Sequence, residues 1–262
     1  SVAKSITQAL VGILVGRVLM DIQAPADVPE WQGEGDPRAA ITLDQLLRMS
    51  SGLQFAEDYV DAGVSDVIEM LFGSGKADTA GFAANFPLAH TPDTVWSYAS
   101  GTSNIVSRSA ARALGKSGEA FEAFMRNALF EPIGMRSPLP KFDEAGTFIG
   151  SSFCYATARD FARFGLLYLR DGVWNGQRIL PEGWVDYART PTPTPPDEAL
   201  GYGAHWWLGM CGPDSFSCNG YQGQFTVVVP SLDLVLVRHG NSTIEQGERV
   251  RDWLGKVADC FR

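Results

Sequence analysis

The chain has 262 residues, 45% of them hydrophobic and 19% charged, and carries a formal net charge of −9 at pH 7. This length and apolar fraction support a large buried core, while the acidic balance, with no basic stripe, speaks against nucleic-acid binding and against docking on an anionic membrane. The longest apolar stretches fall well short of the ~18–20 residues that cross a bilayer, so no membrane span is expected.

Residues 1–16 read as a helix, because Ile6, Leu10, Ile13 and Leu14 recur at three- and four-residue spacing. Gly12 and Gly16 weaken it in isolation, so it depends on tertiary packing. Residues 21–40, with Pro25, Pro29 and Pro37, read as a connecting loop. Thr42 and Ser65 are placed as N-caps for helices over 43–49 and 66–72. The Gly- and Ala-rich stretch 73–92 reads as irregular. Helical patterns resume over 102–114, ending at Gly115, and over 118–130, capped by Ser117 and stopped by Pro132-Ile133-Gly134. Residues 136–153 read as loop. Thr157 caps an amphipathic run over 158–170, Pro181 opens a short helix to 188, and the Thr-Pro stretch 190–196 forms a stiff linker.

After residue 200 the texture changes. Segments 202–210, 224–229 and 234–238 are rich in aromatic and β-branched residues and read as three strands, followed by an amphipathic helix over 244–259. The arrangement is α+β: a helix and loop over 1–40, a mainly helical region over 41–198, and antiparallel strands with a closing helix over 199–262.

The four cysteines are Cys154, Cys211, Cys218 and Cys260. Cys211 and Cys218 are close enough in sequence for a disulfide-closed loop, and free thiols fit equally, so they leave cytoplasmic and periplasmic locations both open. No Cys-x-x-Cys pair occurs, and His90, His205 and His239 lack ligand spacing, so neither a metal nor a cofactor is expected.

Three segments can carry chemistry. In Ser1-Val2-Ala3-Lys4 the i, i+3 spacing puts the serine hydroxyl and the lysine amine on one helix face. Serine needs a base to become a nucleophile, and lysine serves only if its pKa is lowered. The spacing is weak evidence alone, since a capping serine beside a surface lysine would look the same. In Tyr98-Ala99-Ser100, ahead of a helix, a tyrosine hydroxyl can relay a proton near an ammonium group; a core tyrosine beside a capping serine is the commoner case. In Gly220-Tyr221-Gln222-Gly223-Gln224, two glycines ahead of a strand let backbone N–H groups approach a substrate, or simply make a turn.

In this order the three segments resemble the serine β-lactamase and penicillin-binding superfamily, whose signatures are Ser-x-x-Lys, a Tyr-x-Asn or Ser-Asp-Asn element, and Lys-Thr-Gly. The resemblance is closer to the branch holding class C-like esterases and 6-aminohexanoate-dimer hydrolases. Ser50-Ser51-Gly52-Leu53, Trp96-Ser97-Tyr98 and Tyr155-Ala156-Thr157-Ala158-Arg159-Asp160 extend it along the chain. It implies a β-lactamase/transpeptidase-like fold and a serine hydrolase that acts on a small ester or linear amide through an acyl-enzyme. Ser1 is then the nucleophile, Lys4 its base or the charge that activates Tyr98, and Tyr98 the proton carrier. The backbone N–H groups of Ser1 and Gln224 form the oxyanion hole, and Ser100, Tyr155, Tyr221, Gln222 and Gly223 bind substrate.

Two departures qualify this. Tyr221-Gln222-Gly223 replaces Lys-Thr-Gly, removing the cation that grips a β-lactam carboxylate, and Ser100 replaces the Asn of Tyr-x-Asn. A β-lactamase or D-Ala-D-Ala peptidase is therefore the alternative, and a non-catalytic relative a further one. The resemblance also implies chain ahead of the nucleophile, so the N-terminal part of the usual fold is expected to be absent here and to be supplied as a missing segment or chain.

Overall fold

The computed structural model describes residues 1–58 and 65–262. Helix α1 (Ala3–Gly16) is buried along almost its whole length, including its polar residues Lys4, Ser5, Thr7 and Gln8. A helix apolar on most sides and covered all round must find internal partners for such groups. Most of them have one: Ser5 Oγ donates to His205 O at 2.7 Å, Thr7 Oγ1 donates to Gly150 O at 3.1 Å, and Gln8 Oε1 accepts from the Tyr168 hydroxyl, while Gln8 Nε2 is buried without a hydrogen-bond partner.

Next come α2 (Leu43–Leu47), α3 (Asp66–Phe72), α4 (Thr79–Ala84), α5 (Ser100–Leu114) and α6 (Gly118–Met125). The expected caps hold at Thr42 and Ser65, whereas Ser117, at the N-cap position of α6, makes no side-chain capping bond. Thr42 Oγ1 accepts from Gln45 N at 3.2 Å with Gln45 Oε1 reciprocating at 2.9 Å, and Ser65 Oγ accepts from Ile68 N at 3.2 Å. Helix α4 lies in the stretch read as irregular. Asp78 caps it by accepting from Gly81 N at 2.8 Å, and its small residues allow close packing on α5. At that contact a Cβ on Gly101 would lie 2.8 Å from Ala83 Cβ. Helix α5 begins at Ser100, two residues earlier than its sequence pattern suggests. The helix expected to reach 130 stops at Met125 and continues as a single π turn over 126–130.

Within 136–153, read as loop, β1 (Leu139–Pro140) pairs antiparallel with β2 (Cys154–Tyr155). Helix α7 (Ala158–Leu169), a hairpin of β3 (Val173–Trp174) and β4 (Gln177–Arg178), and α8 (Trp184–Arg189) follow. The chain closes with β5 (Gly201–Tyr202), β6 (Trp207–Leu208), β7 (Phe216–Gly220), β8 (Gln224–Val229), β9 (Leu234–Arg238) and α9 (Ile244–Asp259).

Strands β5 to β9 form one antiparallel sheet in sequential order, five strands where three were expected. The run 202–210 is broken into β5 and β6 by a tight turn in which Gly203 N donates to Trp206 O at 2.8 Å and His205 takes φ 56°. Strand β7 reads Phe-Ser-Cys-Asn-Gly, with no β-branched residue to mark it, and gains its order from its pairing with β8.

The sheet is covered on both faces. Helix α7 lies on β8 and β9, close enough that a Cβ on Gly165 would meet Val235 Cγ1 at 2.7 Å and Thr226 Cγ2 at 3.1 Å. On the other face Phe225, Val227 and Val229 pack with Leu254 and Ala258 of α9. Two covered faces explain why β8 reads as a nearly continuous apolar run. They also settle the cysteines. Cys218 belongs to the main core and Cys211 to the cluster under α9, and all four cysteines are free thiols.

Among the described residues no helix is long and apolar enough to cross a membrane, and no group of His, Cys, Asp and Glu is arranged to hold a metal ion.

Candidate active site

Ser1 sits at the start of α1, one turn from Lys4, and the helix begins on backbone bonds such as Lys4 N to Ser1 O at 3.0 Å. The i, i+3 spacing becomes contact: Lys4 Nζ lies 3.2 Å from Ser1 Oγ. Lys4 is only 2% exposed. Its amine also donates to Ser100 Oγ at 3.0 Å and to the Ser151 carbonyl at 3.0 Å. Burial, only partly countered by the Glu57 carboxylate, lowers its pKa from 10.5 to about 8.

Hydrogen-bond accounting fixes the direction of this network. Ser151 O can only accept. Ser100 Oγ donates its proton to Glu57 Oε1 at 2.6 Å, so towards Lys4 it also accepts. Two N–H groups of Lys4 are thereby committed. In the neutral amine, the lone pair is left facing Ser1 Oγ.

Tyr98 enters from the segment just ahead of α5. Lys4 Nζ sits over its ring at 4.6 Å from the centroid. Tyr202 holds the ring edge-on at 6.1 Å, and Trp207 lies against it at 5.4 Å.

His205 reaches the same region but is occupied structurally. Its Nδ1–H donates to Leu47 O at 2.8 Å, and its Nε2 faces Ser103 Oγ at 2.9 Å. Burial pushes its pKa down to about 3, so it stays neutral and ties the β5–β6 turn to α1, α2 and α5.

The third segment arrives from the sheet. Gly220 and Gln224 are paired across the β7–β8 turn, and Gln222 and Gly223 take φ 60° and 81° in it. Gly220 passes so close to the start of α1 that a Cβ there would stand 2.8 Å from Val2 Cγ2 and 2.9 Å from Gln224 Cβ, so a larger residue would force these neighbours to shift. Arg238 braces the turn from β9, donating to Gly223 O at 2.7 Å and to Ser242 Oγ at 2.6 Å. The Gln224 side chain is turned to the backbone, accepting from Gly240 N at 3.0 Å.

Ser1, Tyr98, Gly220, Tyr221, Gln222 and Gly223 line one open cleft of about 860 Å³. Trp207, Phe225 and Ile244 add apolar wall to it, and Glu198, Glu245, Glu248 and Arg251 charged wall. Ser100 is fully buried beneath Lys4. Tyr155 is not among the cleft's lining residues; it is exposed on β2 and stacked on Phe153 at 6.2 Å between centroids. Trp206, the neighbour of the cleft-lining Trp207, is a core residue packed on Tyr168 at 4.4 Å.

Glu57, the Ser151 carbonyl and His205 escape sequence reasoning. Each meets the site through contacts tens of residues or more apart in the chain, and none belongs to a local pattern.

A family model described as Beta-lactamase matches residues 1–258. A 6-aminohexanoate-dimer hydrolase of Paenarthrobacter ureafaciens is 26% identical over 258 residues, which cover 91% of this chain and 64% of that protein. Penicillin-binding protein 4 of Amycolatopsis lactamdurans is 27% identical over 301 residues, 98% of this chain and 76% of the relative. The chain therefore spans about two-thirds to three-quarters of the length of these relatives. Among solved structures, a candidate 6-aminohexanoate-dimer hydrolase from Bacillus anthracis shares the fold, with a TM-score of 0.82 at 22% identity over 98% of this chain and 71% of the other.

Proposed function

Because the chain belongs to the beta-lactamase family, we propose that it is a serine hydrolase that cleaves carboxylic esters or linear amides through an acyl-enzyme on Ser1. The observation that carries this is the 3.2 Å contact between Ser1 Oγ and a buried lysine amine whose other donors are spent on Ser100 and Ser151. Neutral Lys4 takes the Ser1 proton as Oγ attacks the substrate carbonyl. The backbone N–H groups of Ser1 and Gln224 receive the oxyanion, and one such donor is worth about 10²–10³ in rate. Tyr98, beside the lysine that has just become an ammonium, hands a proton to the leaving group as the C–O or C–N bond breaks. Water, deprotonated by the same groups, then releases the acid and restores Ser1.

The cleft favours a substrate without a free carboxylate. Tyr221 stands where Lys-Thr-Gly enzymes place their cation, and among the lining residues Glu198, Glu245 and Glu248 outweigh Arg251, which is itself 3.9 Å from Glu248. Aromatic and aliphatic walls at Trp207, Tyr221 and Ile244 suit an apolar acyl or leaving group. The name of the Paenarthrobacter relative adds support for a linear amide bond, but not for the lack of a carboxylate, since a 6-aminohexanoate dimer carries one.

Intact-mass analysis after exposure to a p-nitrophenyl ester, a linear amide oligomer and a penicillin tests this. The expected result is an acyl adduct on Ser1 with the first two, turnover of both, and a weak penicillin adduct that Ser1→Ala abolishes. Full ester turnover by Ser1→Ala refutes the acyl-enzyme. A stable penicillin adduct with no ester turnover transfers the assignment to a penicillin-binding activity.

A further inference from the structure

Resting on that acyl-enzyme mechanism, we propose that Glu57 is a positioning residue that, through Ser100, aims the Lys4 lone pair at Ser1. The Glu57 carboxylate reaches the start of α5 from a separate loop and takes both available protons there, Ser100 N to Oε2 at 2.7 Å and Ser100 Oγ to Oε1 at 2.6 Å. The N-cap residue of α5 is Ala99, whose side chain makes no capping bond. Glu57 therefore caps this helix from outside, where a carboxylate also meets the positive end of the helix dipole.

The cap has a chemical consequence one bond further on. A carboxylate accepts and cannot donate, so the Ser100 hydroxyl proton must point to Glu57 and its oxygen must accept from Lys4. With the Ser151 carbonyl holding a second N–H, a single orientation remains for the neutral amine, lone pair towards Ser1 Oγ. An amide in place of the carboxylate removes this constraint. A glutamine NH₂ can donate to Ser100 Oγ, which frees the Ser100 proton to occupy the Lys4 lone pair. The base is then bonded to the wrong serine.

Glu57 also sets the ionisation of the pair, since its charge opposes the effect of burial on Lys4. Among the described residues, His205 from the β5–β6 turn, its pKa pushed down to about 3, Cys218 from β7, pushed up to about 12, and Tyr202 from β5, raised by burial, are neutral at the pH where Lys4 titrates. Tyr98 offers Lys4 the face of its ring. Glu57 is thus a carboxylate through which the acid limb of activity can be moved.

The test uses Glu57→Gln, Ser100→Ala and the double variant, read by Ser1 acylation rate with a p-nitrophenyl ester across pH. Glu57→Gln is expected to lower the plateau rate about 10- to 100-fold and to move the acid limb down by about one pH unit, because Lys4 loses its counter-charge. A cap that was only structural would lower stability and leave the limb where it was. In the Ser100→Ala background, Glu57→Gln should cost less than threefold in plateau rate, the coupling expected when one residue acts through the other. A Glu57→Gln protein with a plateau within twofold of wild type and an unmoved limb overturns the proposal. So do losses that multiply in the double variant, which would give Glu57 a role independent of Ser100. If Glu57→Gln fails to fold, Ser100→Ala alone decides: a plateau within twofold of wild type also overturns it. Failure of wild-type Ser1 to acylate is a separate outcome, which removes the acyl-enzyme mechanism and this proposal with it.

Discussion

Replacing Lys4 with Met should make the protein inactive and should change the way its stability depends on pH. Lys4 is buried, and its pKa falls from 10.5 to about 8 on folding. Below pH 8 it is charged in both states, and holding that charge inside costs the folded state about 3 kcal/mol, from roughly 1.4 kcal/mol for each tenfold change in proton affinity. As pH rises from 8 the folded protein releases this proton while the unfolded chain keeps it. The unfolded state then binds more protons, stability rises with pH, and the cost has disappeared above 10.5. Lys4→Met has no such charge. Its lost bonds to Ser1, Ser100 and Ser151 cost the same at every pH. The quantity to measure is therefore the difference in unfolding free energy between wild type and Lys4→Met, by urea titration from about pH 7 to about pH 11. It should shift in favour of wild type by about 3 kcal/mol, mostly between pH 8 and 10.5. The acid limb of wild-type kcat/KM should fall at the same pH of about 8. A stability difference that stays flat over this range refutes the reasoning, since Lys4 would then be titrating like an exposed lysine. A limb near pH 8 without the stability shift would assign the limb to a group other than Lys4.

Tyr98→Phe keeps the ring contacts with Tyr202 and Trp207, so the variant should fold while kcat falls about 10²–10⁴-fold; preserved kcat removes Tyr98 as the proton carrier. Gly12→Ala gains helix propensity yet places a Cβ 2.3 Å from Trp184 Nε1 and 2.5 Å from Cε2. Overpacking of this kind should win and cost about 1–3 kcal/mol in urea unfolding, whereas a neutral or stabilising result would mean that Trp184 moves aside freely. With a thiol reagent, native protein should react quickly only at Cys260, and all four cysteines should react after denaturation without reductant. Fewer reactive thiols in the denatured chain would reveal a disulfide.

Much of the local structure follows from residues that act on their neighbours. Thr42, Ser65 and Thr157 cap the helices they precede because a short hydroxyl side chain satisfies a free N–H two or three residues on, whatever surrounds it. Helix α1, the end of α5 at Gly115 and strands β8 and β9 are set by periodicity and breakers in the same way. Helix α4 and strand β7 are not, because Ala and Gly in one and Ser, Cys and Asn in the other give no periodic signal. They form because α5 and β8 offer them partners.

The same division runs through the candidate site. Ser1 and Lys4 are brought together by helical spacing alone, and the order of Tyr98 and the 220–224 segment behind them marks the family. The sequence could not say whether Lys4 is a surface ammonium or a buried base near pH 8, since burial comes from α5, the Ser151 segment and the β5–β6 turn closing around it. Nor could it separate Trp207, which lines the cleft, from its neighbour Trp206, which lies in the core, or bring Glu57 to Ser100. Spacing along one helix is fixed by covalent geometry, whereas desolvation and the direction of a hydrogen-bond network depend on groups far away in the chain, which only the folded arrangement brings within 3 Å.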